Sequence, residues 1–169
     1  GGAVIGREAF MCYLDPRHDF GAASPGLCHR GTLNGNALVA AAGIATLKII
    51  RTGEPNRIAD AFAAKLREVM SDIVTQHKVQ GVVYGESSIF HVYFGATSIE
   101  GLSAEEIRGV PKQTVAAFHG GLRRRGIDLM SYLGGNTSMA HTDEDVEWMA
   151  QAFEATLQDL LADGLVGRA

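Results

Sequence analysis

A threonine beside a glycine stands at the entry to an apolar helix. Thr32 follows Gly31 and lies shortly before the helix that is predicted to begin after Asn36. A hydroxyl in this position, together with backbone N–H groups at a helix N-terminus, can bind a phosphate group. The same residues are typical of an ordinary helix entry, because Asn is a good N-cap. The local pattern therefore gives a candidate phosphate site and leaves the structural alternative open.

Other polar residues could do chemistry, and each has a structural interpretation. His141 precedes the last predicted helix, where it could face a ligand or complete the turn. His91 alternates with apolar residues in a predicted strand, which favours a sheet residue over a catalytic base. Ser87 and Ser88 follow Gly85-Glu86 but lack the Gly-x-Ser-x-Gly pattern of a hydrolase, so no triad is predicted.

Two groups of potential metal ligands are present, and neither predicts a metal site. The first group is acidic and occupies the first turn of the last predicted helix, where carboxylates complement the positive end of the helix dipole. Its members are Asp143, Glu144, Asp145 and Glu147. The second group contains cysteines and histidines whose spacing fits no usual zinc pattern. Its members are Cys12, His18, Cys28 and His29.

The composition excludes several classes of protein. The 169 residues are 46% hydrophobic and 20% charged with a net charge of −4, which gives no electrostatic reason to bind nucleic acid or an acidic membrane. The one basic cluster, residues 123–125, falls near the end of a predicted helix, where cations suit the dipole. Two isolated cysteines favour a cytoplasmic location. The longest apolar run, residues 37–47, is too short to span a membrane.

The first part of the chain predicts a buried strand over residues 3–5 and a short helix over residues 7–14. A long irregular stretch follows over residues 15–31, and such loops are usually functional. The next helix, residues 37–51, is apolar on almost all sides, so we expect it to be buried on more than one side. Gly53 ends this helix, and Pro55 begins another.

The second part predicts an α+β unit. Its first helix runs to about His77 and is amphipathic, so it should cover one face of a sheet. Strands over residues 79–84 and 88–94 should form an antiparallel pair. A helix over 111–125, a strand over 127–133 and a final helix complete the pattern. Thr142 and Asp145 resemble a capping box for that last helix.

Three segments resemble class III aminotransferases, in the family's order. Residues 1–11 (GGAVIGREAFM) are similar to the strand and short helix that follow the family's active-site lysine. Residues 29–47 contain Gly-Thr-Leu-Asn-Gly-Asn, similar to the family's Gly-Thr-(Leu/Phe)-x-Gly-Asn-Pro, with Ala37 in place of Pro. Residues 138–145 (SMAHTDED) resemble the Ser-x-Ala-His-Thr-x-Glu-Asp signature of the glutamate semialdehyde aminomutase subgroup.

The resemblance implies the C-terminal part of a fold type I pyridoxal-phosphate-dependent transferase, an α/β fold. Residues 1–53 would be the end of the large cofactor-binding domain, and residues 54–169 the small α+β domain. It implies a cytoplasmic homodimer with shared active sites and pyridoxal 5'-phosphate as cofactor. The threonine matching Thr32 binds the cofactor phosphate in the neighbouring subunit's site, and the residue matching Gly31 lies beside the substrate.

The resemblance also predicts what the chain lacks. The family's catalytic lysine precedes the segment matched by residues 1–11, and the lysines present stand in other contexts, so we expect the chain alone to be inactive. They are Lys48, Lys65, Lys78 and Lys112. The parent protein is expected to transfer an amino group between an amino acid or amine and a 2-oxo acid. Glutamate-1-semialdehyde 2,1-aminomutase, a non-catalytic dimerisation or binding fragment and an unrelated α+β protein are the alternatives.

One departure favours transamination over the aminomutase reaction. The aminomutases carry a Glu-Ala-Gly-Phe stretch shortly before their Ser-x-Ala-His-Thr motif, and its glutamate lies by the substrate. Here the corresponding residues 133–137 read Leu-Gly-Gly-Asn-Thr and hold no carboxylate. A site without that charge should favour a diamine-like intermediate less strongly over other substrates, because specificity comes from paired polar groups.

Overall fold

The computed structural model describes residues 4–15, 27, 31–129 and 132–169. The chain divides into two units, residues 1–51 and residues 52–169. Of the potential metal ligands named above, His18, Cys28 and His29 lie outside the described residues, as does most of the loop predicted over 15–31. The assignment of the two units to a large and a small domain of a longer protein stays a prediction.

The first unit contains helices and no strand among its described residues. Helix α1 (Glu8–Met11) continues into a short 3-10 helix (Cys12–Leu14), and helix α2 spans Ala37–Ile50. Residue 3 lies outside the described residues, and at Val4 and Ile5 the predicted buried strand is wrong, since they form no strand and are 63% and 90% exposed. A strand needs a neighbour for its backbone hydrogen bonds, and the described part of this unit supplies none.

Helix α2 is apolar but not buried. It contains no buried residue, and Leu38 and Leu47 are 79% and 63% exposed. The prediction that it is buried on more than one side is therefore wrong for this chain. The physical reason is that burial requires neighbouring elements, and within the described part of the unit only α1 and the 3-10 helix are available. Both are too short to cover four turns of helix.

The second unit is a three-stranded antiparallel sheet with helices. In chain order its elements are α3 (Glu54–Gln76), β1 (Gly81–Tyr84), β2 (Ile89–Phe94), α4 (Ala104–Arg108), α5 (Lys112–Arg123), β3 (Gly134–Asn136) and α6 (Asp143–Ala162). The strand order is β1-β2-β3. The register places His91 between Tyr84 of β1 and Gly134 of β3. The predicted antiparallel pair is thus confirmed.

The third strand lies later than predicted. Residues 127–129 form no strand, and β3 begins at Gly134. Glycine has low strand propensity, which hid this strand from the sequence pattern. Its backbone nevertheless approaches β2 closely, because a side chain at Gly134 would collide with His91, and one at Gly135 would lie 3.1 Å from the Phe90 ring. Helix α4 was not predicted, although Ser103 and Glu106 form a capping box for it.

The core of the second unit lies between the sheet and α3, α5 and α6. Phe118 of α5 is fully buried and makes edge-to-face contacts with Phe94 of β2 and Phe153 of α6, at ring distances of 5.6 and 6.1 Å. Such contacts add to the stabilisation from apolar burial. The cap of α6 matches the prediction, since the Asp145 carboxylate accepts from the Thr142 N–H at 2.7 Å.

The crossing of α5 and α6 yields a prediction about two adjacent glycines. A methyl group at Gly121 would lie 2.5 Å from Thr156 Cγ2, which is fully buried, whereas one at Gly120 would meet only the end of Arg124 at 3.5 Å. We expect Gly121→Ala to lower the free energy of unfolding by about 1–3 kcal/mol through overpacking.

Gly120→Ala is the matched control, and it should raise the free energy of unfolding by about 0.5–1 kcal/mol because Ala favours helix. Urea unfolding of both variants measures the difference. Adding Thr156→Ala to Gly121→Ala should restore part of the loss. Equal effects of the two glycine substitutions would contradict this account of the crossing.

Candidate cofactor and substrate site

The turn before α2 holds the predicted phosphate site. The Asn34 N–H donates to the Gly31 carbonyl at 3.1 Å, and the Asn36 N–H donates to the Leu33 carbonyl at 3.2 Å. Gly35 has a φ of +71°, which a glycine adopts without strain. Short-range hydrogen bonds therefore fix residues 31–36 as a tight turn leading into the helix.

Asn36 caps the helix in a way that limits the phosphate site. Its side-chain oxygen accepts from the N–H groups of Leu38 and Val39, at 3.0 and 3.1 Å. These two amides are engaged, so they are not open donors for a phosphate as the sequence pattern allowed. The cap confirms the helix entry, and the side chain of Thr32 becomes the principal candidate donor.

Thr32 and Gly31 differ in their surroundings. Thr32 is exposed, and within the described residues its hydroxyl has no hydrogen-bond partner. At Gly31 an added side chain would lie 2.6 Å from the Asn34 Oδ1, so the Asn34 side chain would have to move to make room for it. An exposed hydroxyl beside a glycine fits a phosphate group, because the hydroxyl can donate to a phosphate oxygen and no side chain stands beside it.

His141 is held by the residues that precede α6. The Ser138 N–H donates to His141 Nδ1 at 3.0 Å, and the Phe62 ring lies 5.0 Å from the imidazole. His141 Nδ1 also lies 3.2 Å from the Ser138 carbonyl oxygen. These contacts agree with the structural interpretation of His141 as part of the turn.

His91 lies in β2 as predicted, on the face of the sheet opposite to the core. Successive residues of a strand point to opposite faces, and Phe90, Val92 and Phe94 of β2 are the buried ones. The His91 ring contacts Tyr84 of β1 with 5.4 Å between ring centres. The imidazole also fills the space beside Gly134, where any side chain would collide with its Nδ1.

Tyr84, which the sequence analysis did not select, contacts His91, and Tyr132 lies close enough to Tyr84 to contribute to its pKa. Tyr132 donates to the Arg108 carbonyl at 3.0 Å, and the Leu133 carbonyl beside it accepts from the Val92 N–H. Burial raises the pKa of Tyr84, and burial likewise raises the pKa of Tyr132. Both hydroxyls therefore stay protonated well above neutral pH. Only the strand register brings these residues together, so no local sequence signal could have identified them.

The remaining polar groups take structural roles. The carbonyl of Ser88 accepts from the Thr137 N–H at 2.8 Å, and the Thr137 hydroxyl donates to the Ala59 carbonyl at 2.8 Å. Asp143 pairs with Lys65 at 2.7 Å. Within the described residues, no group of three or more His, Cys, Asp or Glu side chains is placed to hold a metal ion.

The basic cluster is matched by acids. Arg123 Nε donates to Asp128 at 2.7 Å, and Arg125 donates to Asp159 at 2.9 Å. Arg124 lies 3.6 Å from the same Asp159 carboxylate. These pairs leave little free positive charge for a polyanion. None of the helices in the described ranges has the length and apolar character needed to cross a bilayer.

Comparison with known proteins gives consistent relatives. No family model matches the chain. It is 29% identical over 161 residues to a glutamate-1-semialdehyde 2,1-aminomutase from Methanopyrus kandleri, covering 94% of this chain and 35% of the relative. It is 31% identical over 144 residues to the same enzyme from Pyrobaculum aerophilum, covering 84% of this chain and 34% of the relative. The chain thus spans about a third of these relatives' length.

Solved structures agree with the sequence matches. An omega-transaminase from Sphaerobacter thermophilus superposes with a TM-score of 0.64 at 28% identity, covering 80% of this chain and 31% of that one. A transaminase with PLP bound gives a TM-score of 0.70 at 25% identity, covering 94% and 35%. The predicted fold class is confirmed. The chain is therefore class III aminotransferase-like, and its sequence and fold correspond to the C-terminal part of such a protein.

Proposed function

We propose that this chain is part of a pyridoxal-phosphate-dependent aminotransferase that moves an amino group between an amino acid or amine and a 2-oxo acid. The observation that supports it most is the extent of the similarity, since the aminomutase from Methanopyrus kandleri matches 94% of the chain. The omega-transaminase adds a structural match of the same region. Short motifs alone would support the proposal less than a sequence match that extends through both units of the chain.

In this proposal, the turn that contains Gly31 and Thr32 forms part of the cofactor-binding site. In the proposal, the Thr32 hydroxyl donates to the phosphate of pyridoxal 5'-phosphate, and Gly31 keeps the adjacent space clear for substrate. Bound pyridoxal phosphate supplies the electron sink that amino-group transfer requires. By analogy with the family, the parent would be a cytoplasmic homodimer in which Thr32 serves the neighbouring subunit's site.

The surroundings of β3 favour a transaminase over an aminomutase. Gly134 has no room for a carboxylate side chain, because His91 occupies that space. Gly135 packs its backbone against Phe90, and Asn136 is neutral. A substrate amine would therefore meet no carboxylate from β3. Loss of such a paired charge relaxes discrimination between substrates.

The aminomutase reaction is the second candidate. The names of the curated relatives favour it, since those from Methanopyrus kandleri and Pyrobaculum aerophilum are both glutamate-1-semialdehyde 2,1-aminomutases. The two candidates share the cofactor and differ in whether the amino group leaves the substrate molecule. Substrate selectivity of the complete parent protein therefore separates them.

The first prediction concerns that selectivity. The complete parent protein, assayed on glutamate 1-semialdehyde and on a panel of α-amino acids, β-amino acids and amines with a 2-oxo acid acceptor, should show transamination as its main activity. The reason is that β3 offers no carboxylate for the diamine-like intermediate. Efficient isomerisation of the semialdehyde without transamination of any donor would show that the second candidate is correct.

The second prediction concerns Thr32. In the complete parent, Thr32→Val should weaken cofactor binding by about 1.5–3 kcal/mol, the range for one hydrogen bond to a charged group. The turnover of enzyme saturated with cofactor should change much less, because the phosphate is remote from the reacting carbon. Thr32→Ser is the matched control and should bind the cofactor nearly as well as the unmodified protein. Equal affinity in the Val and Ser variants would remove Thr32 from the site.

The third prediction concerns the 169-residue chain by itself. We expect it to have no transaminase activity and to form no covalent pyridoxal adduct at a specific lysine. Lys65 is engaged with Asp143, and Lys48 and Lys112 lie in α2 and at the start of α5. Mass spectrometry after borohydride treatment with pyridoxal phosphate measures adduct formation. A single modified lysine accompanied by turnover would contradict the prediction.

A further inference from the structure

A cavity of about 270 Å³ lies within the second unit, between α3, β3 and the first turns of α6. Its apolar walls come from Phe62 and Leu66 of α3, Phe90 of β2, and Trp148 and Met149 of α6. An apolar cavity of about 150 Å³ is enough to bind benzene. This cavity therefore has room for a phenyl ring and a short polar arm.

Backbone contacts fix the Trp148 ring in the wall of the cavity. The Trp148 indole N–H donates to the Arg125 carbonyl at 2.8 Å. The ring lies against Gly126, where a side chain would be 2.5 Å from the indole and where φ is +83°. Trp148 is nevertheless 52% exposed. A large apolar side chain that is held in place beside an open cavity can pack against a bound ligand without first being ordered.

Two carboxylates, those of Asp128 and Asp145, line the cavity together with the His141 imidazole, and no Lys or Arg is among its described lining residues. Asp128 accepts from Arg123 through Oδ1, and Asp145 accepts from Thr142 through Oδ2. Within the described residues the second oxygen of each carboxylate has no partner, so each can accept another hydrogen bond.

These features favour a ligand that carries a positive charge and an apolar group. Aromatic rings pack favourably against one another, and three aromatic side chains, Phe62, Phe90 and Trp148, surround the space. Carboxylate oxygens accept from an ammonium group in a charge-assisted hydrogen bond. A carboxylate ligand of the same shape would be repelled by the Asp128 and Asp145 carboxylates. We propose that this cavity binds a small arylalkyl ammonium ion, with its ring among the aromatic walls and its ammonium group directed to Asp128 and Asp145.

The chain carries its own reporter for this binding. Its single tryptophan is Trp148, in the cavity wall, so intrinsic fluorescence responds to occupancy. The 169-residue chain is titrated with 2-phenylethylamine and, separately, with 3-phenylpropionate, which has the same ring and a similar arm but the opposite charge. We expect a saturable change with the amine and at least about tenfold weaker binding of the acid, equivalent to 1.4 kcal/mol.

A pair of variants tests the role of the charge. Asp128→Asn should weaken binding of the amine by about tenfold, while Asp159→Asn, which removes an arginine-paired carboxylate outside the cavity, should leave it unchanged. Circular dichroism checks that both variants fold, and the amine–acid comparison in the unmodified chain stands even if one does not. A linear, non-saturable response, equal affinity for amine and acid, or equal effects of the two variants would overturn the proposal.

Discussion

The close approach of β3 to β2 is the constraint on which much of the second unit depends. Gly134 must lack a side chain for the strands to pair this closely, because a Cβ there would collide with the Phe90 carbonyl and His91, and Gly135 lies against the Phe90 ring. This pairing fixes where the chain emerges at Thr137, whose hydroxyl donates to the Ala59 carbonyl and whose N–H donates to the Ser88 carbonyl. The segment that leads into α6 is thereby tied to α3 and to the sheet.

The same two glycines have opposite consequences on the two faces of the sheet. On the core side, Gly135 and Phe90 border the cavity, together with residues of α3 and α6. On the other side, the His91 ring occupies the space that a side chain at residue 134 would need, so β3 has no room for a carboxylate there. The pair of glycines in β3 thus borders an apolar cavity on one face of the sheet. On the other face, the same pair leaves no space for a charged side chain.

The sequence predicted those elements whose signals are local. The amphipathic pattern of α3, the strands β1 and β2 and the Thr142–Asp145 cap of α6 were all found where expected. The third strand was misplaced, because Gly134 and Gly135 pair for reasons of close contact that propensity does not capture. The apolar character of α2 was correctly read, but its burial depends on neighbours that the described part of the first unit does not contain.

The residues of the candidate site also fall into two groups, those that a local motif identified and those that only the fold brings together. Gly31 and Thr32 were selected through a motif, and the structure adds that Asn36 engages the first free amides of the helix. The grouping of Tyr84, His91 and Tyr132 and the cavity beside Trp148 depend on register and on helix packing. Contacts between residues far apart in the chain have no counterpart in local sequence pattern.

The central claim is that this chain contributes a phosphate ligand to an aminotransferase site. A crystal structure of the complete parent protein with pyridoxal 5'-phosphate tests it most directly, through the distance from Thr32 Oγ1 to the nearest phosphate oxygen. The account predicts a hydrogen bond of about 2.5–3.0 Å, made to the cofactor of the neighbouring subunit. A phosphate held entirely by other residues, with Thr32 beyond hydrogen-bond distance, would contradict it.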